Sequence, residues 1–385
     1  SVVWNQMAGH TNFFWQSPSF KAQRAGMTVL TASRGQFAKN IDFVVGVSSE
    51  MPCIIKNDVE LSKFTNYINS GLPFYYNTED STFAATAGAA GIEWIPIAAG
   101  GEDFFFKLNY NPTFGPGSEW TSRIGTPTAP FKGDFNGDHH IVSNLPSANA
   151  DTCGFFGCNA GTIRNLVINN ANMSDDSHNT VAALCGYNSG RIDSCSVKNC
   201  EVNGNNVVAA IAAINTGYVS ACYSSSTVNG NDTVAGICAV NTGSITSTFN
   251  MGDITADTYA GGIAGVNTGS LANTYNVGNI TASDYAGGLA GKTGTSLATS
   301  YNAGQVNCSG SNAGGIAGNI SGSNVTAITS VAYDDVMCTL PSSFQGGNSY
   351  NTVKTSTQNM VGSGLQSTLG TTDWVFTANM YPRLK

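Results

Sequence analysis

ITSTFNMGDITADTYAGGIAGVNTGS (Ile245–Ser270) runs directly into LANTYNVGNITASDYAGGLAGKTGTS (Leu271–Ser296). The two stretches match position by position, so the chain repeats itself. Working outward, Ile192, Val219, Ile245, Leu271 and Leu297 each open a near-copy, at spacings of 27, 26, 26 and 26 residues, and Val325 lies 28 residues further on. A second apolar position falls nine residues after the opener, at Val228, Ile254, Ile280 and Val306. A third sits in a Gly-rich knot, at Ile237, Ile263, Leu289 and Ile316, and an Asn-Ser/Thr-Gly turn closes the units at Asn188, Asn215, Asn241 and Asn267. A period of this size marks a repeat architecture.

Each unit holds three short segments of Val, Ile, Thr and Tyr bounded by Gly, Asn, Asp or Ser, which reads as three short strands joined by turns. No repeat carries an amphipathic helical pattern, and the dense leucines of leucine-rich repeats are missing. The expected fold is therefore all-β: a right-handed parallel β-helix of 26 residues per coil. About six coils rising about 4.8 Å each make a rod roughly 29 Å long. Stacking explains the composition, because a coil buries its apolar face only against its neighbours. The Asn column offers side-chain amide ladders, the Gly after each turn suits positive φ, and the pairs Gly261–Gly262, Gly287–Gly288 and Gly314–Gly315 mark a bend with no room for a side chain.

The pattern G-G-[IL]-A-G-x-N-T-G, followed by an opener and a C/T-Y/F pair, resembles the GLUG repeat family of large secreted and surface proteins of bacteria. The resemblance is strong over Val181–Ala317. It extends weakly to PFKGDFNGDHHIVSNL (Pro130–Leu145) and to DWVFTANMYPRLK (Asp373–Lys385), which is similar to the closing segment of such proteins in gut Bacteroidetes. Lys292 in place of the turn Asn, and Ala209–Ala213 in place of Gly-Gly, depart from the pattern. The family is defined by its repeat, so the resemblance implies a surface or secreted β-helix and no particular chemistry.

The flanks divide the rest. Residues 1–50, rich in aromatics such as Trp4, Phe13, Phe14, Trp15 and Phe20, form a β-rich extension of unassigned fold. Residues 51–150 form an N-terminal cap with lead-in strands, including FFFKLNYN (Phe104–Asn111), and a helix over 57–70 that Asn57 or Asp58 caps and Gly71 ends. Residues 151–330 are the repeat solenoid, and 331–385 a C-terminal cap whose Trp374, Phe376 and Tyr381 pack on the last coil. Such caps keep open sheet ends from pairing with other chains.

Charged residues make up 10% of the chain and the net charge is −8. With no basic run, nucleic acid is a poor partner. No apolar run is long enough to span a membrane, and no signal peptide opens the chain, as expected of a mature or trimmed protein. None of the ten cysteines forms a CxxC pair, so a structural zinc site is not expected. Cys195 and Cys222 share one repeat position with Thr248, Thr274 and Ser300, which reads as a buried column of small residues with free thiols, a Cys195–Cys222 disulfide being the alternative.

Candidate chemistry is thin. Asp193, Glu201, Asp232, Asp253, Asp257 and Asp284 read as turn residues rather than a facing catalytic pair. DFNGDHH (Asp134–His140) lacks the distal Glu of a calcium loop, and His139 and His140 fall on opposite faces of a strand. His10 and His178 stand alone, so neither a metal nor a cofactor is expected. The column Tyr223, Phe249, Tyr275 and Tyr301 is the candidate binding surface. Facing out, it offers rings about 4.8 Å apart to sugars; packed along a groove, it is a ladder that stiffens the coil, and the ladder is the favoured reading. Ice binding would need cleaner rows of Thr than Thr246, Thr248, Thr255 and Thr281 offer. The resulting expectation is a non-catalytic, adhesin-like recognition protein, extracellular or on the cell surface in association with the outer membrane. Its partner would be a host or bacterial surface glycan or protein. The alternative is a β-helix carbohydrate-active enzyme, a polysaccharide lyase or hydrolase.

Overall fold

The computed structural model describes residues 50–87, 94–115, 122–146, 153–175, 179–321, 328–338 and 352–385, together with the backbone of five strands between Val3 and Val45. His10, His178 and Val325 lie outside the described residues.

The expected parallel solenoid is present. Ile192, Val219, Ile245, Leu271 and Leu297 stand one above the next in parallel register. All are buried. The column continues beyond the repeats on both sides. Below Ile192 come Ile163, Phe135, Phe106 and Cys53; above Leu297 comes Ile328. The rung after Leu297 is thus opened by Ile328 rather than Val325. Nine steps from Cys53 to Ile328 span about 43 Å, longer than the repeats alone suggest. The lead-in strands Phe105–Leu108 and Asp134–Asn136 are the first rungs of the same stack. Their sequences hide this because Phe replaces the aliphatic opener.

Each coil has more strands than three. One coil contributes Ser244–Asn250, Ile254–Ala256, Tyr259–Gly261 and Ala264–Asn267. Alternation sends Ile245, Ile254, Ala260 and Ala264 inward, where the equivalent residues of neighbouring coils continue each column. At the N-terminal end the interior changes character. Phe64, Phe83, Phe106, Phe131, Phe135, Phe155 and Phe156 meet in tilted and edge-to-face pairs with centroids 4.8–6.4 Å apart, the geometry that ring quadrupoles favour. The helix that covers this end runs Asp58–Ser70, capped by the Asn57 side chain on the Glu60 amide and stopped by Gly71 at φ 66°. Its Leu61, Phe64 and Ile68 close the apolar column.

Two local readings need correction. The turn glycines Gly190, Gly217, Gly243 and Gly269 are not in the positive-φ region; instead, a Cβ on each would lie 2.0–2.1 Å from the carbonyl oxygen of the glycine one coil below. They are glycine because coils approach closely there. Positive φ falls on another column, Asn165, Ser194, Ala221, Ser247, Asn273 and Thr299, at 47–53°. That conformation costs an L-residue about 1–2 kcal/mol. It lets the following residue, Cys195, Cys222, Thr248, Thr274 or Ser300, turn inward. Second, Lys292 does not occupy the Asn position: it pairs with Val266, and Thr293 stands over Asn267.

The Asn column is a continuous amide ladder. Each Nδ2 donates to the next Oδ1 from Asn159 through Asn188, Asn215 and Asn241 to Asn267, at 2.7–2.8 Å. Thr293 Oγ1 accepts the last link at 3.2 Å. A second ladder, Asn250 to Asn276 to Asn302 at 2.9 Å, was not singled out from the repeats. All of these amides are buried, so each needs such a partner.

The C-terminal segment adds to the last described rung, where Tyr381 donates its hydroxyl to Asp334, and also runs along the side of the solenoid. Strand Thr352–Thr355 pairs with Ile328–Asp334, and the chain then folds back along the side. There Trp374 packs against Tyr275 and Tyr301, and Asp373 accepts a 3.1 Å hydrogen bond from Asn273. No described helix is long and apolar enough to cross a membrane.

Candidate functional site

The outward face of the longest strands carries the features of interest. Strand Tyr223–Asn229 alternates, burying Ser224, Ser226 and Val228 and turning Tyr223, Ser225, Thr227 and Asn229 outward. Tyr223 opens the aromatic column. Its ring lies 4.9 Å from that of Phe249, which lies 4.7 Å from Tyr275, which lies 5.1 Å from Tyr301, all within 3° of parallel. The column is external to the aliphatic core and forms its own cluster with Ala332, Met360, Leu365, Leu369 and Trp374.

Orientation decides what the rings can do. A sugar packs its C–H face against a ring face. Here the faces of Phe249 and Tyr275 are covered on both sides by neighbours. Tyr381 stacks beyond Tyr301 at 6.2 Å, and the Lys198 ammonium sits 5.1 Å over Tyr223. Only ring edges point outward, and the C-terminal segment covers those of Tyr275 and Tyr301. Tyr301 is fully buried and donates its hydroxyl to the Pro382 carbonyl at 2.7 Å. Burial raises its phenol well above the usual tyrosine value and pushes Tyr275 up to about 12. The geometry is that of a ladder clamping the C-terminal segment. Between ladder and segment lies a mainly apolar cavity of about 560 Å³, with Met251, Val277, Met380 and Arg383 in its wall. Tyr259 and Tyr285 form a second stack at 4.7 Å on another face, with Lys292 above Tyr259.

A polar groove lies beside the open end of the ladder. Asn170, Asn172, Asn199, Glu201, Ser225 and Thr227 line about 480 Å³, with Ala171 and Cys200 at its floor. A change in coil length builds it. Lys198 pairs with Ser225 and Glu201 with Thr227, so two residues, Asn199 and Cys200, face the single Ser226. The bulge puts Asn199 at φ 51°, beside Asn170 at φ 54°, and re-aims the side chains as such insertions do. The next coil lacks the extra residue: Ser226 alone stands opposite Asn199 and Cys200, while the aromatic column begins over Ser196, on the same strand. The 27-residue spacing among 26s was the sequence signal for it.

Several of the other candidates are engaged in structural contacts. Asp134 is paired with Arg164 at 2.8 Å and Asp138 with Lys107 at 2.7 Å. The Lys107 hydrogen bond holds the Asp138 carboxyl below its usual value. His139 lies in a turn at φ 62°, not on a strand face, and His140 contacts Asn111. Asp193 is pushed up by partial burial, but hydrogen bonds from Ser220 and Arg191 outweigh that and hold it low. Among the described residues no three His, Cys, Asp or Glu converge on a point suited to a metal. The ten thiols are free, and all but Cys308 are buried. Burial raises Cys53, Cys185, Cys222 and Cys238, and a protonated thiol is a poor nucleophile.

No family model and no curated protein matches the chain. The fold is similar to that of a solved structure from Bacteroides ovatus described as a putative immunoglobulin A1 protease. The TM-score is 0.52 and the sequence identity 19%, over 89% of this chain and 95% of that one. At that identity the likeness speaks for the fold.

Proposed function

We propose that this protein is a non-catalytic, adhesin-like recognition rod of the bacterial surface or exterior, and that its partner is a surface glycan or protein. The resemblance to GLUG-repeat proteins supports this reading. The observation that carries it is the outward face of the solenoid, where neutral polar side chains recur coil after coil. Ser174, Asn203, Asn229, Thr255, Thr281 and Asn307 stand in one such row, each in register with the next. A rigid row of amides and hydroxyls at strand spacing suits an extended partner, and solenoids present surfaces of this kind. Two facing carboxylates free of other duty are what a glycosidase needs; Asp134, Asp138 and Asp193 are committed to basic partners.

Two assays on the same preparation test the reading. The protein is applied to arrays of surface glycans and surface proteins, and incubated with the corresponding polysaccharides while product size is followed. Binding without shortening of the chains is expected. Release of oligosaccharides would instead establish a carbohydrate-active enzyme.

A further inference from the structure

We propose that the groove lined by Asn170, Asn172, Asn199, Glu201, Ser225 and Thr227 is a binding subsite for a neutral oligosaccharide. The inference rests on the recognition reading above and adds a location and a ligand class.

Three observations carry it. The first is volume: about 480 Å³ falls within the roughly 300–1,000 Å³ of small-ligand pockets. The second is free hydrogen-bonding capacity. Elsewhere on the rod the stacked amides bond to one another, but Asn172, Ser225 and Thr227 make no side-chain hydrogen bond among the described residues. Asn170 and Asn199 each give Nδ2 to a neighbour, Asn144 and Asn169, at 2.7 and 3.1 Å. That leaves the Oδ1 of both directed to no described donor. Amides and hydroxyls that both donate and accept match the vicinal hydroxyls of a sugar. The third is a floor held in place. Ala171 N donates to Cys200 Sγ at 3.3 Å, Cys200 N to Ser226 Oγ at 3.0 Å, and Glu201 N to the Ala171 carbonyl at 2.9 Å. The backbone that carries the lining residues is thus fixed in place, which lowers that part of the ordering cost of binding.

Charge selects the class. Glu201 is exposed, and its carboxylate accepts a 3.1 Å hydrogen bond from Asn203, with an oxygen left for a sugar hydroxyl. Lys198, the nearby cation, is turned onto the Tyr223 ring. A carboxylate in the groove of a protein of net charge −8 repels uronates and sulfated sugars and accepts from neutral hydroxyls, a charge-assisted bond.

The test uses the full chain and a panel of neutral gluco-, galacto- and manno-configured oligosaccharides, with uronate and sulfated oligosaccharides as counterparts. Binding is measured by calorimetry for the wild type, for Glu201→Ala/Thr227→Val, and for Ser283→Ala, at an exposed turn two coils away and outside both the groove and the polar row. Both residues of the double variant are solvent-exposed, so it should melt like the wild type. The expected result is binding of a neutral member, weakened about tenfold or more in the double variant and unchanged in Ser283→Ala. Should the double variant not fold, Ser225→Ala with Asn172→Ala replaces it under the same expectation. Equal binding by wild type and groove variant, preference for acidic oligosaccharides, or no glycan binding would each overturn the proposal. The recognition reading would survive each of these if the rod bound a glycan or a protein elsewhere; it fails if the glycan is cleaved or if neither array is bound.

Discussion

The aromatic ladder and the polar groove meet on the outward face of the strand Tyr223–Asn229 and end in opposite states. In the ladder, stacking uses up the side chains: each ring face meets another ring or Lys198, and the C-terminal segment covers the edges of Tyr275 and Tyr301. In the groove, one extra residue breaks the coil-on-coil match and leaves amides, hydroxyls and a carboxylate unspent. In-register repetition makes a solenoid stable by pairing like with like. A regular row such as Asn229, Thr255 and Thr281 offers an extended partner one repeated contact; a concave subsite forms where the repetition slips.

That contrast can be attacked from the stability side first. Gly243→Ala should have the largest effect, since its Cβ would stand 2.1 Å from the Gly217 carbonyl oxygen. A loss of about 5 kcal/mol or more is expected in denaturant unfolding, and a near-neutral result would remove close coil packing as the reason for these glycines. Tyr301→Ala should cost roughly 3–5 kcal/mol, because it empties a buried ladder position and strands the Pro382 carbonyl. Loss of Trp374 burial should accompany it in the fluorescence spectrum. Asn241→Ala removes the acceptor of the Asn215 amide and the donor to Asn267. It should cost about 1–3 kcal/mol; chemical denaturation measures it.

A smaller effect concerns pH. Burial under the C-terminal segment, slightly opposed by the charge of Arg383, pushes the Tyr275 phenol up to about 12, against about 10 in an unfolded chain. A raised phenol favours the neutral form in the folded state. Its stabilising share is therefore complete below about pH 10. It is lost as pH rises through about 12. Tyrosinate absorbance and Trp374 fluorescence should change together over that range. If tyrosinate appears well below it with Trp374 still buried, the ladder is not sealed as described.

Much of the fold was legible because repetition writes it into the sequence. The openers from Ile192 to Leu297, the Asn188–Asn267 turn column and the Gly pairs all found their places. The Asp58–Ser70 helix showed its Asn57 and Gly71 caps. What escaped was non-local or unmarked by residue type. Phe106 and Phe135 stand in the opener column although nothing nearby shows the period. Ala221 and Thr299 adopt positive φ where stacking forces it and no Gly or Asn advertises it. Trp374 meets Tyr275 nearly a hundred residues away in sequence, so whether the ladder is open or covered depends on a tertiary contact. The groove depends on a single inserted residue, visible in the spacings but without a shape until the coils are stacked.

The division of labour between ladder and groove is tested most directly by measuring thermal unfolding and oligosaccharide binding side by side on Tyr301→Ala and Glu201→Ala/Thr227→Val. The account predicts that the first variant melts earlier yet binds with wild-type affinity while folded, and that the second melts like the wild type and binds at least about tenfold more weakly. The reverse pattern, binding lost with the ladder and kept without the groove, would contradict it.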